Sequence, residues 1–237
     1  MKKYILLITE SNKNLVPKFF DNTATTYDKV AHWATLGKDT FWKNEILKQI
    51  PEVNSILDLA CGTGILTRRI AKKFPNTKIV GVDMTETYLN VAKKNSASCN
   101  NISYIHQDAE NLNLNLKFDC ITSSYIPKYC DAEILVKKCL NHLNPKGKII
   151  FHDFTYPKKA AAQKIWNIYF ALLNFVGLFI PSWKEAFAKL PKLIKTSTWL
   201  SSYANIMKKN GLQVRSHYLT CDSCTILIGN KISDVKS

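Results

Sequence analysis

The chain has 237 residues, 46% of them hydrophobic, and its formal net charge at pH 7 is +15. This length predicts one domain, and this apolar content is enough for a full core, which excludes a wholly disordered chain. Lysine supplies nearly all of the positive charge, because the arginines number three: Arg68, Arg69 and Arg215. The charge fits attraction to anionic lipid or nucleic acid, or a compositional bias of the genome, but arginine forks for base contacts are scarce.

The first residues and the cysteines indicate the cellular compartment in which the protein is expected. The apolar stretch Tyr4–Ile8 is shorter than the hydrophobic region of a signal peptide, so we expect a cytoplasmic protein. Seven cysteines at scattered spacings argue against a secreted disulfide framework. Cys221 and Cys224 form one CxxC pair, but the sequence has no second CxxC or HxxxH to complete a structural zinc site. We therefore predict no metal site.

Short apolar runs alternate with helical patterns along the chain. Strands are predicted at Ser55–Ala60, Lys78–Val82, Ile102–His106, Asp119–Ser123, Lys148–Phe154, Gln213–Leu219 and Thr225–Gly229. Helices are predicted at Thr40–Gln49, Ile65–Phe74, Thr85–Asn95, Glu133–His142 and Thr198–Asn210. Strands joined by helical crossovers predict an α/β fold whose parallel sheet has helices on both faces, and the last two strands should form an antiparallel hairpin.

The segment Ala160–Trp183, which follows the fifth strand, is long, apolar and aromatic. Its cleanest apolar stretch is about a dozen residues, whereas a membrane-spanning helix needs about 20. One interpretation is a buried helix beneath a loop. The other is a cap that covers an apolar substrate and touches a bilayer. The sequence leaves both open.

The stretch SILDLACGTGILTRRI, Ser55–Ile70, places a small glycine loop between a strand and a helix. It is not a GxxxxGK[ST] phosphate loop, and Thr67 stands where the third glycine of GxGxxG would be. Gly62 and Gly64 nevertheless let the backbone approach a ligand closely. The context therefore has to identify that ligand.

Acidic residues lie at the ends of three successive strands, and they supply this context. Asp58 precedes the glycine loop, Asp83 ends the second strand, and Asp108 follows the third. Asp83 is placed to accept hydrogen bonds from ribose hydroxyls, and Asp108 to reach an adenine amine beside the small Ala109. Three acids suit a cationic ligand with free hydroxyls, such as S-adenosylmethionine, and would repel a pyrophosphate. The alternative, that Asp58 and Asp108 cap helices, explains each residue singly but not the series.

The stretches ILDLACGTG, VGVD, QDAE, FDCITSS and LNPKGKIIFHDF resemble the consecutive motifs of class I S-adenosylmethionine-dependent methyltransferases. The resemblance is closer still to the ubiquinone/menaquinone biosynthesis C-methyltransferases. FFDNTATTYDKVAHWATLGKDTFWK, Phe19–Lys43, is similar to that family's N-terminal signature, and the C-terminal half follows its pattern to the last strands. This resemblance covers nearly the whole chain from about Phe19, the point where the N-terminal signature begins.

The resemblance implies a Rossmann-like, seven-stranded, mostly parallel sheet with a helical cap insertion after the fifth strand. All of this is expected within one methyltransferase domain, residues 1–237. An N-terminal helical cover of cofactor and substrate occupies residues 1–50, and the cofactor-binding core occupies 51–157. The apolar helical cap spans 158–196, and the C-terminal helix and strand hairpin span 197–237.

The resemblance also carries over site residues. Thr63, Asp83, Asp108, Ala109 and Ser124 match the family's cofactor-contacting positions. The predicted S-adenosylmethionine site comprises Tyr27, Asp58, Ala60, Cys61, Gly62, Thr63, Gly64, Asp83, Met84, Asp108, Ala109, Ser124 and Tyr129.

The chain departs from the family after Ser124. The family has a Phe-Gly-x-Arg-Asn-Val segment there, whose arginine-asparagine pair lies at the substrate. This chain reads SSYIPKYCD, so Pro127 or Lys128 takes the arginine's place, and a lysine cannot copy a guanidinium fork. Either the substrate or the means of proton removal can differ as a result. The predicted catalytic residues are Tyr27, Lys128 and Asp153, the last standing where the family has a glutamate.

The function implied by the resemblance is C-methylation of a prenylated quinol by direct transfer from S-adenosylmethionine. Such an acceptor resides in a bilayer, so the protein is expected at the anionic inner face of a membrane. Two alternatives stay open: methylation of nitrogen or oxygen on another small or lipid-like acceptor, and altered chemistry in a quinone-modifying protein. No nucleic-acid partner is expected, because the Asn/Asp-Pro-Pro-Tyr/Phe element of base methylators is absent from the sequence. The oligomeric state, including a homodimer, stays open.

Overall fold

A computed structural model describes residues 12–20 and 22–231. The predicted absence of a signal peptide concerns Tyr4–Ile8 and lies outside these residues. The helices are α1 Leu15–Phe20, α2 Tyr27–Ala34, α3 Lys38–Gln49, α4 Ile65–Lys73, α5 Glu86–Asn95, α6 Ala132–Asn141, α7 Ala160–Gly177, α8 Pro181–Thr196 and α9 Trp199–Lys209. The strands are β1 Ser55–Leu59, β2 Lys78–Asp83, β3 Ile102–His106, β4 Phe118–Ser124, β5 Leu143–Phe154, β6 Leu212–Leu219 and β7 Cys224–Lys231.

The seven strands form one sheet in the order β3-β2-β1-β4-β5-β7-β6. The first five pair in parallel, whereas β7 pairs antiparallel with both β5 and β6. The predictions of a Rossmann-like, mostly parallel sheet and of a terminal antiparallel hairpin are therefore confirmed. The strand order reverses between β1 and β4, and in such sheets ligands bind beyond the carboxyl ends of the strands at this point.

Side chains that alternate along the strands divide the core between the two faces of the sheet. Ile56 packs with Trp42 of α3 on one face, while Leu57 packs with Tyr203 of α9 on the other. A separate cluster lies outside the sheet, where Phe19 of α1 packs with Trp183 and Phe187 of α8. This cluster places the N-terminal helices and α8 against each other above the site.

The predicted starts of strand β5 and of the first helix were wrong. Strand β5 begins at Leu143 rather than at Lys148, because the Pro145–Gly147 segment lies inside the strand, with Lys146 in a left-handed conformation (φ 62°). The β4–β5 register shifts between Phe118 and Cys120 and accommodates the irregularity. In addition, α2 and the start of α3 at Lys38 lie before Thr40, where the first helix was predicted to begin.

The apolar segment after β5 folds as two helices. Helix α7 ends at Gly177, and α8 begins at Pro181, where the fixed φ of proline suits a first turn. A Cβ at Gly177 would lie 3.0 Å from Cδ2 of Phe187, so glycine allows the two helices to approach closely. Within residues 12–20 and 22–231, neither of these helices nor any other is long and apolar enough to cross a membrane.

Candidate functional site

A cavity of about 470 Å³ lies beyond the carboxyl ends of β1, β2 and β4, beneath α2, α7 and α8. A second pocket of about 40 Å³ lies beside the glycine loop. The walls of the two share five residues, which are Tyr27, Ala60, Gly62, Ser124 and Tyr125. The two spaces therefore meet at the glycine loop, and one ligand can extend from one into the other.

The glycine loop turns sharply between β1 and α4. Ala60, Gly62 and Gly64 have φ of 50°, 57° and 77°, and the backbone N–H of Gly64 donates to the carbonyl oxygen of Cys61 at 2.9 Å. Glycine tolerates such angles, and Gly64 also lacks room for a side chain, because a Cβ there would lie 2.6 Å from the Tyr104 hydroxyl. Of the loop residues, Ala60 and Gly62 line both the cavity and the small pocket.

Asp83 is oriented by this loop and lines the cavity. Its carboxylate accepts hydrogen bonds from the backbone N–H of Gly62 and of Thr85, each at 2.8 Å. Burial raises the pKa of Asp83, although these two N–H groups oppose that shift. A carboxylate fixed in this way is suited to accept hydrogen bonds from ribose hydroxyls, as the sequence predicts.

Asp58 lies deeper than expected. It borders the small pocket rather than the cavity, and it accepts hydrogen bonds from Thr67 at 2.6 Å and Thr122 at 3.0 Å. Burial raises its pKa to about 6, against the effect of both hydroxyls. Asp58 therefore joins β1 to α4 and β4 from beneath the loop.

Asp108 and Ala109 lie on the cavity wall with Met84. The carboxylate of Asp108 accepts hydrogen bonds from the backbone N–H of Glu110 at 3.1 Å and pairs with the ammonium of Lys13. Lys13 also pairs with Glu110 at 2.8 Å. These two ion pairs of Lys13 hold the N-terminal turn over the part of the cavity where the sequence predicts the adenine.

The N-terminal segment is tied to the glycine loop by a carboxylate that the sequence analysis did not single out. Thr63 of the loop donates a hydrogen bond to Asp28 at 2.5 Å, and Arg68 lies 3.5 Å from the same carboxylate. The neighbouring Tyr27 lines both spaces, and its ring lies 5.4 Å from that of Tyr88. Burial, with a contribution from Tyr88, raises the pKa of Tyr27 well above its usual value, so this phenol keeps its proton at neutral pH.

The structure brings two of the predicted catalytic residues together. The ammonium of Lys128 lies 2.7 Å from the Asp153 carboxylate and donates to the carbonyl oxygen of Tyr125 at 2.7 Å. Lys128 lines the cavity, whereas Asp153 is fully buried behind it and is not part of the wall. Burial lowers the pKa of Lys128 and raises that of Asp153, and the attraction between them opposes both shifts.

A buried network behind the cavity was missed at the sequence level. Tyr125 lies at the junction of the two spaces, and its hydroxyl donates a hydrogen bond to the carboxylate of Asp39 at 2.8 Å. This carboxylate also pairs with the ammonium of Lys43. Although burial acts to raise it, the pKa of Asp39 is lowered by Lys43 and by the hydrogen bonds. The 86 residues that separate Tyr125 from Asp39 explain why no local pattern indicated this contact.

The other residues with metal-binding or base chemistry lie elsewhere. His152 is fully buried, 2.9 Å from both the Ser124 hydroxyl and the Cys224 sulfur, and burial lowers its pKa to about 3. His32 is exposed on α2. Among the residues that the structure describes, no group of three or more histidine, cysteine or acidic side chains could hold a metal ion.

The predicted cofactor residues divide into three sets by position. Lining the cavity are Tyr27, Ala60, Gly62, Asp83, Met84, Asp108, Ala109, Ser124 and Tyr129. Bordering the small pocket but not the cavity are Asp58, Cys61 and Thr63. Gly64 borders neither and shapes the loop from within. The combination of a glycine loop at the junction of the two spaces, an oriented Asp83 and acids at successive strand ends fits a cationic nucleoside.

Comparison with known proteins agrees with this geometry. Residues 8–231 match the model of the ubiE/COQ5 methyltransferase family. The ubiquinone/menaquinone biosynthesis C-methyltransferase UbiE of Rickettsia typhi is 31% identical over 215 residues, or 86% of each chain. The demethylmenaquinone methyltransferase of Thermotoga maritima is 28% identical over 221 residues, covering 91% of this chain and 95% of its own.

Solved structures show the same fold at lower identity. The plantazolicin methyltransferase BpumL, in complex with an analogue and S-adenosylhomocysteine (SAH), has a TM-score of 0.63 at 15% identity, covering 93% and 95% of the two chains. The N-methyltransferase NodS of Bradyrhizobium japonicum, also with SAH, has a TM-score of 0.57 at 13% identity, covering 82% and 87%. The chain therefore belongs to the ubiE/COQ5 methyltransferase family and is an S-adenosylmethionine-dependent methyltransferase.

Proposed function

We propose that the protein methylates a ring carbon of a prenylated quinol by direct transfer. The observation that carries this proposal is the union of the glycine-loop pocket with a cavity of about 470 Å³. Its walls are apolar and rich in aromatic rings, among them Phe20, Tyr129, Trp166, Phe170 and Trp183. Such walls favour a flat, apolar ring over a charged acceptor. The names of the two relatives described above also refer to quinone methylation.

S-adenosylmethionine supplies the electrophilic methyl group. Within the chain, Asp83 and the loop backbone at Gly62 are the groups that would hold the nucleoside. The aromatic walls exclude water and restrict the acceptor ring beside it. Holding two reactants in line is worth up to ~7–11 kcal/mol of the barrier, so positioning is the main contribution that we assign to these residues.

Lys128 is the residue that we propose for the acceptor's reacting oxygen. An ammonium has three N–H donors, and two of them are directed to Asp153 and to the carbonyl oxygen of Tyr125. The third would donate to a ring hydroxyl oxygen and stabilise the oxyanion that forms when this hydroxyl gives its proton to solvent, which raises electron density at the neighbouring carbon. That carbon would form the bond to the methyl group as the methyl–sulfur bond breaks. S-adenosylhomocysteine would then leave, and the same carbon would lose its own proton to solvent, which restores the aromatic ring. Asp153, not itself on the cavity wall, favours the charged form of Lys128 and thereby acts as a positioning residue.

Tyr169 is the second side chain that we propose for contact with the acceptor. It lines the cavity, and among the described residues its hydroxyl is one of two buried side-chain groups without a hydrogen-bond partner. A buried polar group without a partner costs about 1–3 kcal/mol, which an acceptor oxygen would offset.

The location of such an acceptor in the cell indicates where the protein acts. A prenylated quinol resides in a bilayer, and the net charge of +15 favours an anionic surface. We therefore propose a cytoplasmic protein that binds peripherally to the inner face of a membrane.

The test is methyl transfer from labelled S-adenosylmethionine to demethylmenaquinol, a demethylated ubiquinol precursor, small phenols and a phosphoethanolamine lipid. We expect label on a ring carbon of a quinol. Asp83→Asn should weaken binding of S-adenosylmethionine by about tenfold or more, because an amide accepts fewer hydrogen bonds from ribose. Glu86→Gln, the same chemical change at an exposed position three residues away, should leave binding unchanged.

Label on an oxygen or nitrogen of another acceptor, with none on a quinol carbon, would overturn the proposal in favour of a different small-molecule methyltransferase. Tight binding of S-adenosylmethionine without label on any acceptor would instead indicate the altered chemistry left open by the sequence.

A further inference from the structure

Helix α7 is apolar on two opposite sides. Its inner side carries Trp166, Phe170 and Leu173, which are buried and line the cavity. Its other side carries large apolar side chains that are exposed to solvent. Together with the two residues that follow the helix, these side chains form what we call the outer stripe. Its members, each 55–72% exposed, are Ile165, Ile168, Leu172, Phe175, Leu178 and Phe179. A surface helix normally presents polar residues outward, but within residues 12–20 and 22–231 nothing covers this apolar stripe.

The outer stripe is continuous along the helix. Ile165, Ile168, Leu172 and Phe175 are spaced by three or four residues and share one side of α7. Phe175 and Phe179 extend it past the helix end, with their rings 5.5 Å apart in an edge-to-face arrangement. A contiguous apolar surface of this kind marks an interaction site in a protein that folds alone.

The stripe reaches the mouth of the cavity. Ile165 is 70% exposed and Leu36, on the turn between α2 and α3, is 75% exposed, yet both line the cavity. They therefore lie at its rim. Two aliphatic side chains at a rim favour an opening onto an apolar phase rather than onto water, because exposing them to water is unfavourable.

The charge around the stripe identifies the partner. Residues 158–196 contain seven lysines and a single acidic residue, Glu185. All seven lysines are exposed, and three of them, Lys158, Lys159 and Lys164, lie at the end of α7 that carries Ile165. An exposed apolar stripe with cationic neighbours is the arrangement by which a helix lies in the plane of an anionic bilayer surface.

We propose that the outer stripe of α7 inserts into the surface of an anionic lipid bilayer and opens the cavity, between Leu36 and Ile165, directly onto the lipid. The acceptor's tail then remains in the bilayer while its ring enters the cavity. This inference rests on the proposed function for the identity of the acceptor, but the membrane surface itself rests on the stripe and its charge alone.

The experiment is cosedimentation of the full chain with phosphatidylcholine vesicles, with and without phosphatidylglycerol. We expect binding that depends on phosphatidylglycerol and falls as salt is raised. Leu172→Gln with Phe175→Gln, neither of which lines the cavity, should reduce binding roughly tenfold or more. Leu116→Gln is the matched control, because this leucine is similarly exposed (53% against 60%) but lies outside the stripe, and binding should not change.

Activity separates this inference from the proposed function. The double variant should methylate a tailless, water-dispersed quinol at the unmodified rate and lose methylation of a tailed quinol embedded in vesicles. Failure of the unmodified protein to bind anionic vesicles would overturn the inference, even if the tailless quinol is methylated. Vesicle binding that requires the stripe, without methylation of any quinol, would retain the surface and overturn the acceptor. A dimer in sedimentation velocity that the double variant converts to monomer would assign the stripe to a subunit interface and overturn the membrane surface.

Discussion

At the scale of single residues, the buried pair of Lys128 and Asp153 is the least expected feature of the site. Both side chains are almost completely withdrawn from water, and such pairs gain little net stability because desolvation offsets their attraction. The carboxylate of Asp153 also accepts hydrogen bonds from the backbone N–H of Lys128 and of Phe154. The pair therefore holds the short turn Pro127–Tyr129 against β5 and fixes the position of Lys128, which lines the cavity.

Removing the cation alone should be costly. Lys128→Met leaves Asp153 buried and unpaired, and we expect the free energy of unfolding at pH 7 to fall by about 3–5 kcal/mol. Adding Asp153→Asn to this variant should restore more than half of the loss, because the amide keeps an acceptor for the backbone N–H groups and carries no charge. Urea denaturation of the two variants measures both effects.

The same variant predicts a pH dependence. Burial raises the pKa of Asp153, and removing the Lys128 ammonium removes the largest effect that opposes this shift. A carboxyl group whose pKa is higher in the folded state contributes stability at low pH and loses it as the pH rises. The deficit of Lys128→Met should therefore be smaller at pH 5 than at pH 8, and an equal deficit at both would contradict a buried, unpaired Asp153.

At the scale of elements, two kinds of contact fix the turn between β1 and α4. Close packing restricts the turn at Gly64, and hydrogen bonds of Asp58 restrict it from beneath. The space at Gly64 is closed by the Tyr104 hydroxyl, which is itself fixed by the Ser96 hydroxyl at 2.7 Å, and by Ala92 of α5. Asp58 connects the same turn to α4 and β4 through Thr67 and Thr122. The loop is therefore preorganised before any ligand binds.

Gly64→Ala tests this closure. Gly64 and Gly211 share a φ of +77°, but a Cβ at Gly211 would meet no atom within 4 Å. Gly211→Ala therefore reports the backbone cost alone, whereas Gly64→Ala adds overpacking against Tyr104, worth roughly 1–3 kcal/mol. We expect that difference in the free energy of unfolding, together with weaker S-adenosylmethionine binding in Gly64→Ala alone. Equal losses in both variants would show that the turn has room to adjust.

At the scale of the whole molecule, the charge is far from balanced. A net charge of +15 produces self-repulsion in the folded state, which salt screens over distances of about 8–10 Å at physiological ionic strength. Three of the seven lysines in residues 158–196 lie at the end of α7 that carries Ile165, which concentrates part of this charge there. The lysines thus favour an anionic partner at some cost in stability.

Screening should reveal this cost. Raising sodium chloride from about 20 mM to about 300 mM should raise Tm by roughly 2–4 °C in differential scanning calorimetry, which corresponds to about 1 kcal/mol for a chain of this size. Potassium chloride should act equally, since the effect is electrostatic. A Tm that is unchanged or lower in salt would show that local ion pairs outweigh the overall repulsion.

The sequence by itself determined the sheet, its hairpin and the ligand class, because these depend on local signals. Short apolar runs that alternate with helical patterns, and acids at successive strand ends, are each written within a few residues, and Asp83 lies at the expected strand end. The tertiary structure decided what these signals could not reach. Packing between distant segments withdrew Asp58 and Asp153 from the cavity, joined Tyr125 to Asp39, and tied Thr63 to Asp28. It also left one side of α7 exposed within the part of the chain that the structure describes. The sequence could not indicate this, since helical periodicity shows which residues share a face but not what that face contacts.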